Sequence, residues 1–193
     1  MRASTLAAAL VLALASPLAV QAQTAAPAPV TAPAANPADV ATPEALITAI
    51  YDVISGDAGV ARDWDRFRSL FHPAARLIPS GVRPDGTIAA SSLTPEDYVT
   101  RAGPQLERDG FHEIEIASTS ERFGSVVHVF STYEARRSLD DAEPFLRGIN
   151  SFQLMFDGTR WWILTIYWRI AGKFLTRLRA EDDSLPIPAE YLP

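Results

Sequence analysis

The chain has no cysteine and a single lysine, Lys173. The first absence excludes a disulfide framework, a CxxC redox pair, a zinc ribbon, a cysteine nucleophile and a bacterial lipoprotein anchor. The second argues against Schiff-base chemistry in the pocket, since Lys173 lies outside the proposed domain. Histidine is scarce too. His72, His112 and His128 form neither HxxxH nor HxH, so no local metal site is expected and no cofactor is called for. GxSxG, GxGxxG, SxxK and the phosphate-binding loop are absent. No internal repeat is evident. Positive charge is in deficit: 17 Lys+Arg against 23 Asp+Glu give a formal net charge of −6. That argues against a nucleic-acid partner and against a polybasic membrane anchor.

What is present begins with a three-part leader. Arg2 supplies positive charge, Leu6 to Ala15 is uncharged and apolar, Pro17 breaks it, and Val20-Gln21-Ala22 offers a cleavage site. The apolar stretch is short for a membrane span, which needs about 20 residues. Residues 1–22 are therefore expected to be a cleaved signal peptide, placing the mature chain in the periplasm or outside the cell, with no membrane attachment after cleavage. Residues 23–43, with eight Ala, five Pro and no aromatic, are expected to form a disordered linker. About 150 residues remain, enough for one domain. That domain is expected over residues 44–170, with a C-terminal tail over 171–193.

Thr42-Pro43-Glu44 writes a helix start, and Ile47, Ile50, Tyr51 and Ile54 follow as an apolar stripe. Asp63 caps a second helix bearing Trp64, Phe67, Leu70 and Phe71, ended by His72-Pro73. A short strand over Ala75–Pro79 and a ragged hairpin at Pro84-Asp85-Gly86 come next. Leu93-Thr94-Pro95-Glu96-Asp97-Tyr98 has capping-box spacing with staple positions at Leu93 and Tyr98, and predicts a third helix over Pro95–Asp109. Gly103-Pro104 should kink or interrupt it, and Gly110 should close it. From Phe111 the period becomes two. His112, Ile114 and Ile116 share one face, Glu113 and Glu115 the other. Strands over Val126–Arg136, Gly148–Phe156 and Trp161–Arg169 complete a four-stranded antiparallel meander. Helices first and strands after indicate α+β, with three helices on one face of a curved sheet.

The Asp157-Gly158 turn sets the parity of the last hairpin, whether its loop has two residues or four. One face then carries Trp161, Ile163, Thr165 and Tyr167 with Phe152 and Asn150. The other carries Trp162, Leu164, Ile166 and Trp168. Both faces are apolar, so the outer one needs a cover. A second copy of the chain, docked through Trp162, Leu164, Ile166 and Trp168, is the expected cover, and the tail is the alternative. The inner face grows polar toward Asn150, Thr165 and Tyr167, as the mouth of a ligand cavity would.

Asp63-Trp64 through Leu70-Phe71-His72-Pro73, and Asp157-Gly158-Thr159-Arg160-Trp161-Trp162-Ile163, resemble the second helix and the final hairpin of the nuclear transport factor 2-like superfamily. This superfamily includes the SnoaL-like, or polyketide-cyclase-like, proteins. The resemblance spans about Pro43 to Arg169. It implies the cystatin-like roll, three helices on a curved antiparallel sheet that forms a cone, usually as a dimer. Members include isomerases, cyclases and dehydratases, and also binding or scaffolding modules, so the resemblance speaks for fold more than for function. The aspartate positions of the steroid isomerases are unmatched; Asn150 and Thr165 stand on the corresponding strands.

Three functions follow as expectations. The first is binding of a small, largely apolar molecule in the cone. The second is proton transfer, with His128 or Glu134 as the base and Tyr51, Tyr98, Asn150, Thr165 and Tyr167 holding the substrate. The third is an interaction module with a filled cone. The loop 137–144 leaves the face of His128 open, and Glu134 with Arg136 reads equally as a sheet-end ion pair.

Overall fold

The computed structural model describes residues 32–83 and 85–170. The expected signal peptide, residues 23–31 of the linker, the C-terminal tail and Pro84 lie outside the described residues. The elements are α1 (Pro43–Ile54), α2 (Trp64–Ser69), β1 (Phe71–Val82), β2 (Ile88–Ala90), α3 (Pro95–Asp109), β3 (His112–Phe123), β4 (Val126–Arg136), β5 (Leu146–Phe156) and β6 (Trp161–Ile170). The architecture is α+β, three helices and one six-stranded sheet of order β2-β1-β6-β5-β4-β3.

The helix starts follow from their caps. Thr42 Oγ1 accepts from Ala45 N at 3.1 Å, and Asp63 Oδ1 from Arg66 N at 2.9 Å. Thr94 and Asp97 form a reciprocal capping box, so two orphan amides at the start of α3 are satisfied. Pro104 does not interrupt α3, which runs unbroken to Asp109. Gly110 closes it at φ 72°, where a Cβ would also run into the Arg137 carbonyl oxygen.

Two features depart from the expected layout. β1 is longer than Ala75–Pro79 and begins directly after α2. It pairs in parallel with β6 and antiparallel with β2, so the sheet is mixed and has six strands rather than four. The segment before Pro43 also packs in part. Pro37–Val40 forms a 3-10 turn capped by Asn36; Val40 enters the core, and Asp39 is bound by Arg66 at 2.8 Å.

The core lies between the helices and one face of the sheet. Leu46, Ile47 and Ile50 of α1 meet Val127, Val129, Phe152, Leu154, Trp161 and Ile163. α2 has only six residues, and its aromatics tie it down. The Phe67 ring packs on Trp64 at 5.6 Å, Phe71 at 4.8 Å and Tyr98 at 5.4 Å, which joins α2 to β1 and α3.

β6 carries the fold's most consequential irregularity. Phe156 pairs with Trp161 across a four-residue loop, and Leu154 pairs with Ile163, but Gln153 pairs with Thr165. One extra residue is inserted, a β-bulge, and the parity of β6 reverses beyond it. Ile166 and Trp168 then point inward opposite Phe152 and Asn150, while Thr165 and Tyr167 point outward.

Candidate functional site

Between the helices and the inner sheet face lies a cavity of about 170 Å³. α1 contributes Ile50, Tyr51 and Ile54; α3 contributes Tyr98. The sheet supplies Glu113 from β3, Tyr133 from β4, Asn150 and Phe152 from β5, and Ile166 and Trp168 from β6. Ile170, 49 % exposed, marks the side on which the cavity meets solvent. A cavity of about 150 Å³ lined by apolar side chains accommodates benzene, so this one suits a molecule of about one ring with a short substituent.

One polar network crosses it. Asn150 Nδ2 donates to Glu113 Oε1 at 2.9 Å and to the Tyr51 hydroxyl oxygen at 3.0 Å. Both amide hydrogens are thereby used. Tyr51 in turn meets Ser131 Oγ at 2.7 Å, and Ser131 donates to a Glu115 carboxyl oxygen. Since Ser131 spends its hydrogen on Glu115, Tyr51 is the donor to Ser131. The network thus has a fixed direction, and it holds Glu113 by one oxygen only. Among the described residues no hydrogen bond takes up Glu113 Oε2, the Tyr98 hydroxyl or the Tyr133 hydroxyl.

Glu113 is half-buried by surface area because it borders the cavity, but protein surrounds it. Loss of hydration pushes its carboxyl up to about 8; the Asn150 amide pulls the other way but is the weaker influence. At neutral pH Glu113 is therefore mostly a neutral acid. Burial also raises Tyr51, Tyr98 and Tyr133, and the charge that Glu113 would carry when ionised adds to each shift. Tyr133 fits because it pairs with Gly148: a Cβ there would stand 2.6 Å from the Tyr133 hydroxyl.

The residues singled out from sequence divide cleanly. Tyr51, Tyr98 and Asn150 line the cavity. Thr165 and Tyr167 do not, because the β6 bulge turns them outward. His128 and Glu134 also stand on the outer face. In β4 the cavity side carries Ser131, opposite Asn150, and Tyr133; His128 and Glu134 alternate with them. His128 Nε2 meets Ser151 Oγ at 3.0 Å, and Glu134 is bound by Arg136 and, at 3.6 Å, by Arg147. Neither touches the cavity; the carboxyl that lines it is that of Glu113. The expected docking patch is split as well. Ile166 and Trp168 line the cavity, Leu164 sits at the bulge, and Trp162 is outward but engaged, with the Arg160 guanidinium 3.6 Å from its ring centre.

Glu113 was hidden by the pattern of its own strand. His112, Ile114 and Ile116 look like the buried face, yet Ile114 is 40 % exposed on the outer side. The available signal was cross-strand: Glu115 pairs with Tyr133 and Tyr133 with Gly148. A second bulge, between Glu115 and Ala117, breaks that parity before the hairpin turn can transmit it.

No protein-family profile matches this chain, and no curated protein matches it either. Solved structures do. An uncharacterised protein with a cystatin-like fold from Caulobacter vibrioides superposes with a TM-score of 0.50 at 13% identity, over 75% of this chain and 95% of that one. A cystatin-like protein of unknown function from Nostoc punctiforme gives 0.49 at 11%, over 66% and 87%. An NTF2-like protein of unknown function from Methylobacillus flagellatus gives 0.43 at 15%, over 65% and 90%. With the first of these, the chain shares the cystatin-like fold. At these identities the likeness concerns the fold alone.

Proposed function

We propose that this domain binds a small, largely apolar molecule carrying one polar group, seated in the cavity against Glu113. The observation that carries this is the free Glu113 Oε2 in a chamber lined mainly by aliphatic and aromatic side chains. A chamber filled by its own side chains would leave no room beside that oxygen, whereas here about 170 Å³ of space adjoins it. This disfavours the pure interaction module. Proton transfer is the second reading, favoured by an acid whose ionisation lies near neutrality, with tyrosine hydroxyls around it. It requires Glu113 in place of His128 and Glu134.

The leader pattern of residues 1–22 supports export to the periplasm, where the ligand would be met. Pairing of two copies through the outer sheet face belongs to the same proposal. Its support is now the exposed Ile114, Val126 and Tyr167, 40 %, 51 % and 44 % accessible, in place of the patch that the bulge dissolves. One experiment addresses all three parts: native mass spectrometry on protein taken from the periplasmic fraction. The expected result is a dimer whose chains begin at Gln23 and carry one small molecule per subunit. An empty species argues against ligand binding, a monomer against pairing, and a chain retaining residues 1–22 against export.

A further inference from the structure

We infer that the cavity's ligand is a compact organic amine, bound as a cation with the Glu113 carboxylate as its counter-charge. This rests on the binding proposal above and narrows its ligand to a chemical class. Glu113 offers one oxygen already held in place by Asn150 and a second one directed to no protein group. No lysine, arginine or histidine lines the cavity among the described residues, so the protein supplies no cation of its own there. The rings of Tyr51, Tyr98, Tyr133 and Trp168 share the lining. Aromatic rings attract ammonium groups through their quadrupole, most strongly where water is excluded. The polar groups facing the chamber are the Glu113 carboxyl, the tyrosine hydroxyls, the Asn150 amide and the Trp168 indole N–H, none of them cationic, and the rings add negative potential. An anionic ligand finds no opposite charge there and meets the Glu113 carboxyl, whereas a cation finds that carboxyl and the ring faces.

The proton balance gives the inference a signature. At pH 7 the empty site holds a proton on Glu113. An ammonium ligand enters with its own charge, the carboxyl proton leaves to solvent, and one ion pair remains. No covalent bond changes. The groups facing Glu113 are Tyr51 from α1, Tyr98 from α3 and Tyr133 from β4, with Glu115 of its own strand beyond Ser131; the tyrosines stay neutral below pH 9 because burial raises each of them. Binding of an amine should then release close to one proton at pH 7. Its affinity should rise about tenfold per pH unit between pH 6 and pH 7 and level off above pH 8.

The test is titration calorimetry of the folded protein with benzylamine, benzyl alcohol and benzoate, in buffers of different ionisation enthalpy. The three probes share a ring of the right size and differ in charge. The expected result is binding of benzylamine at least tenfold tighter than benzyl alcohol at pH 8, no detectable benzoate binding, and a buffer-dependent heat showing proton release. Glu113→Gln should lose the benzylamine preference while still taking up benzyl alcohol, which shows the variant to be folded and the cavity intact. Benzyl alcohol binding as well as or better than benzylamine, without proton release, overturns the amine assignment and leaves the binding proposal standing. Failure of all three probes to bind overturns both.

Discussion

Replacing Glu113 by glutamine is expected to make the protein more stable at pH 8 and to leave it nearly unchanged at pH 5. The carboxyl is held at about 8 in the folded protein, against about 4.5 for an unhindered glutamate. Below pH 4.5 both states carry the proton, and the group contributes nothing to the pH dependence. Between 4.5 and 8 the unfolded chain has released its proton while the folded chain retains it. The folded state then binds more protons, so stability falls as pH rises, by up to about 1.4 kcal/mol per unit. Above 8 both states are ionised and the slope vanishes. Because the cavity meets solvent, the full shift overstates the loss, and we expect about 3 kcal/mol across the window. Glutamine has no proton to lose and keeps an oxygen for Asn150. Urea unfolding of both proteins at pH 5, 6.5 and 8 measures the difference, in which all other titrating groups cancel. Parallel curves for the two proteins would remove Glu113 from the interior.

The second large effect belongs to Arg62, which is only 7 % exposed. Its guanidinium donates to the carbonyl oxygens of Ile54 at 3.1 Å, Gly56 at 2.6 Å and Leu106 at 3.1 Å, and also to Val60 and Asp57. Its own backbone amide donates to Glu107 Oε1, which also accepts from Trp64 Nε1 at 2.8 Å. One side chain therefore gathers the C-terminal end of α1, the loop before α2 and the far end of α3. Those carbonyls have reached the ends of their helices or lie in the loop; Gly56 and Asp57 also accept from the amides of Phe111 and Val60, so Ile54, Val60 and Leu106 depend most on Arg62. Arg62→Met keeps the apolar stem but leaves several buried acceptors unmade. At about 1–3 kcal/mol for each of the most buried, the loss should reach about 3–5 kcal/mol and lower Tm by about 10 °C or more. Arg62→Lys should recover part of it, since an ammonium cannot span the same fork of acceptors. Thermal unfolding of the three proteins decides this. A methionine variant within 2 °C of the parent would mean that water satisfies the carbonyls and that Arg62 is not the joint described.

These two sites also show what a sequence discloses. Helix boundaries written by short-range chemistry were legible. Thr42-Pro43, Asp63 and the Thr94–Asp97 box each satisfy amides within three residues, so no distant information is needed. The α+β class followed from element order. Tyr51 and Asn150 were found because each lies on a regular element whose parity runs undisturbed to the core. Thr165, Tyr167, Ile166 and Trp168 were assigned to the wrong faces for one reason, the extra residue between Ile163 and Thr165. Leu164-Thr165 carries no glycine or proline to announce a bulge, and the Asp157 turn fixes parity only as far as the first irregularity. The parallel pairing of β1 with β6 is likewise a long-range fact, with no local signature in either strand. Arg62 left no trace in the pattern because its partners are backbone carbonyls, which every sequence has.

Glu113 stands as a neutral acid at the wall of an open, largely aromatic and aliphatic cavity. The most direct test is carbon-13 NMR of the Glu113 side-chain carboxyl, identified by its loss in Glu113→Gln, followed from pH 4 to pH 10 in the ligand-free protein. The expected midpoint is near 8. A midpoint near 4.5 would contradict it. It would place Glu113 in contact with bulk water or a cation, and it would remove the proton release on amine binding and the proton-transfer reading together.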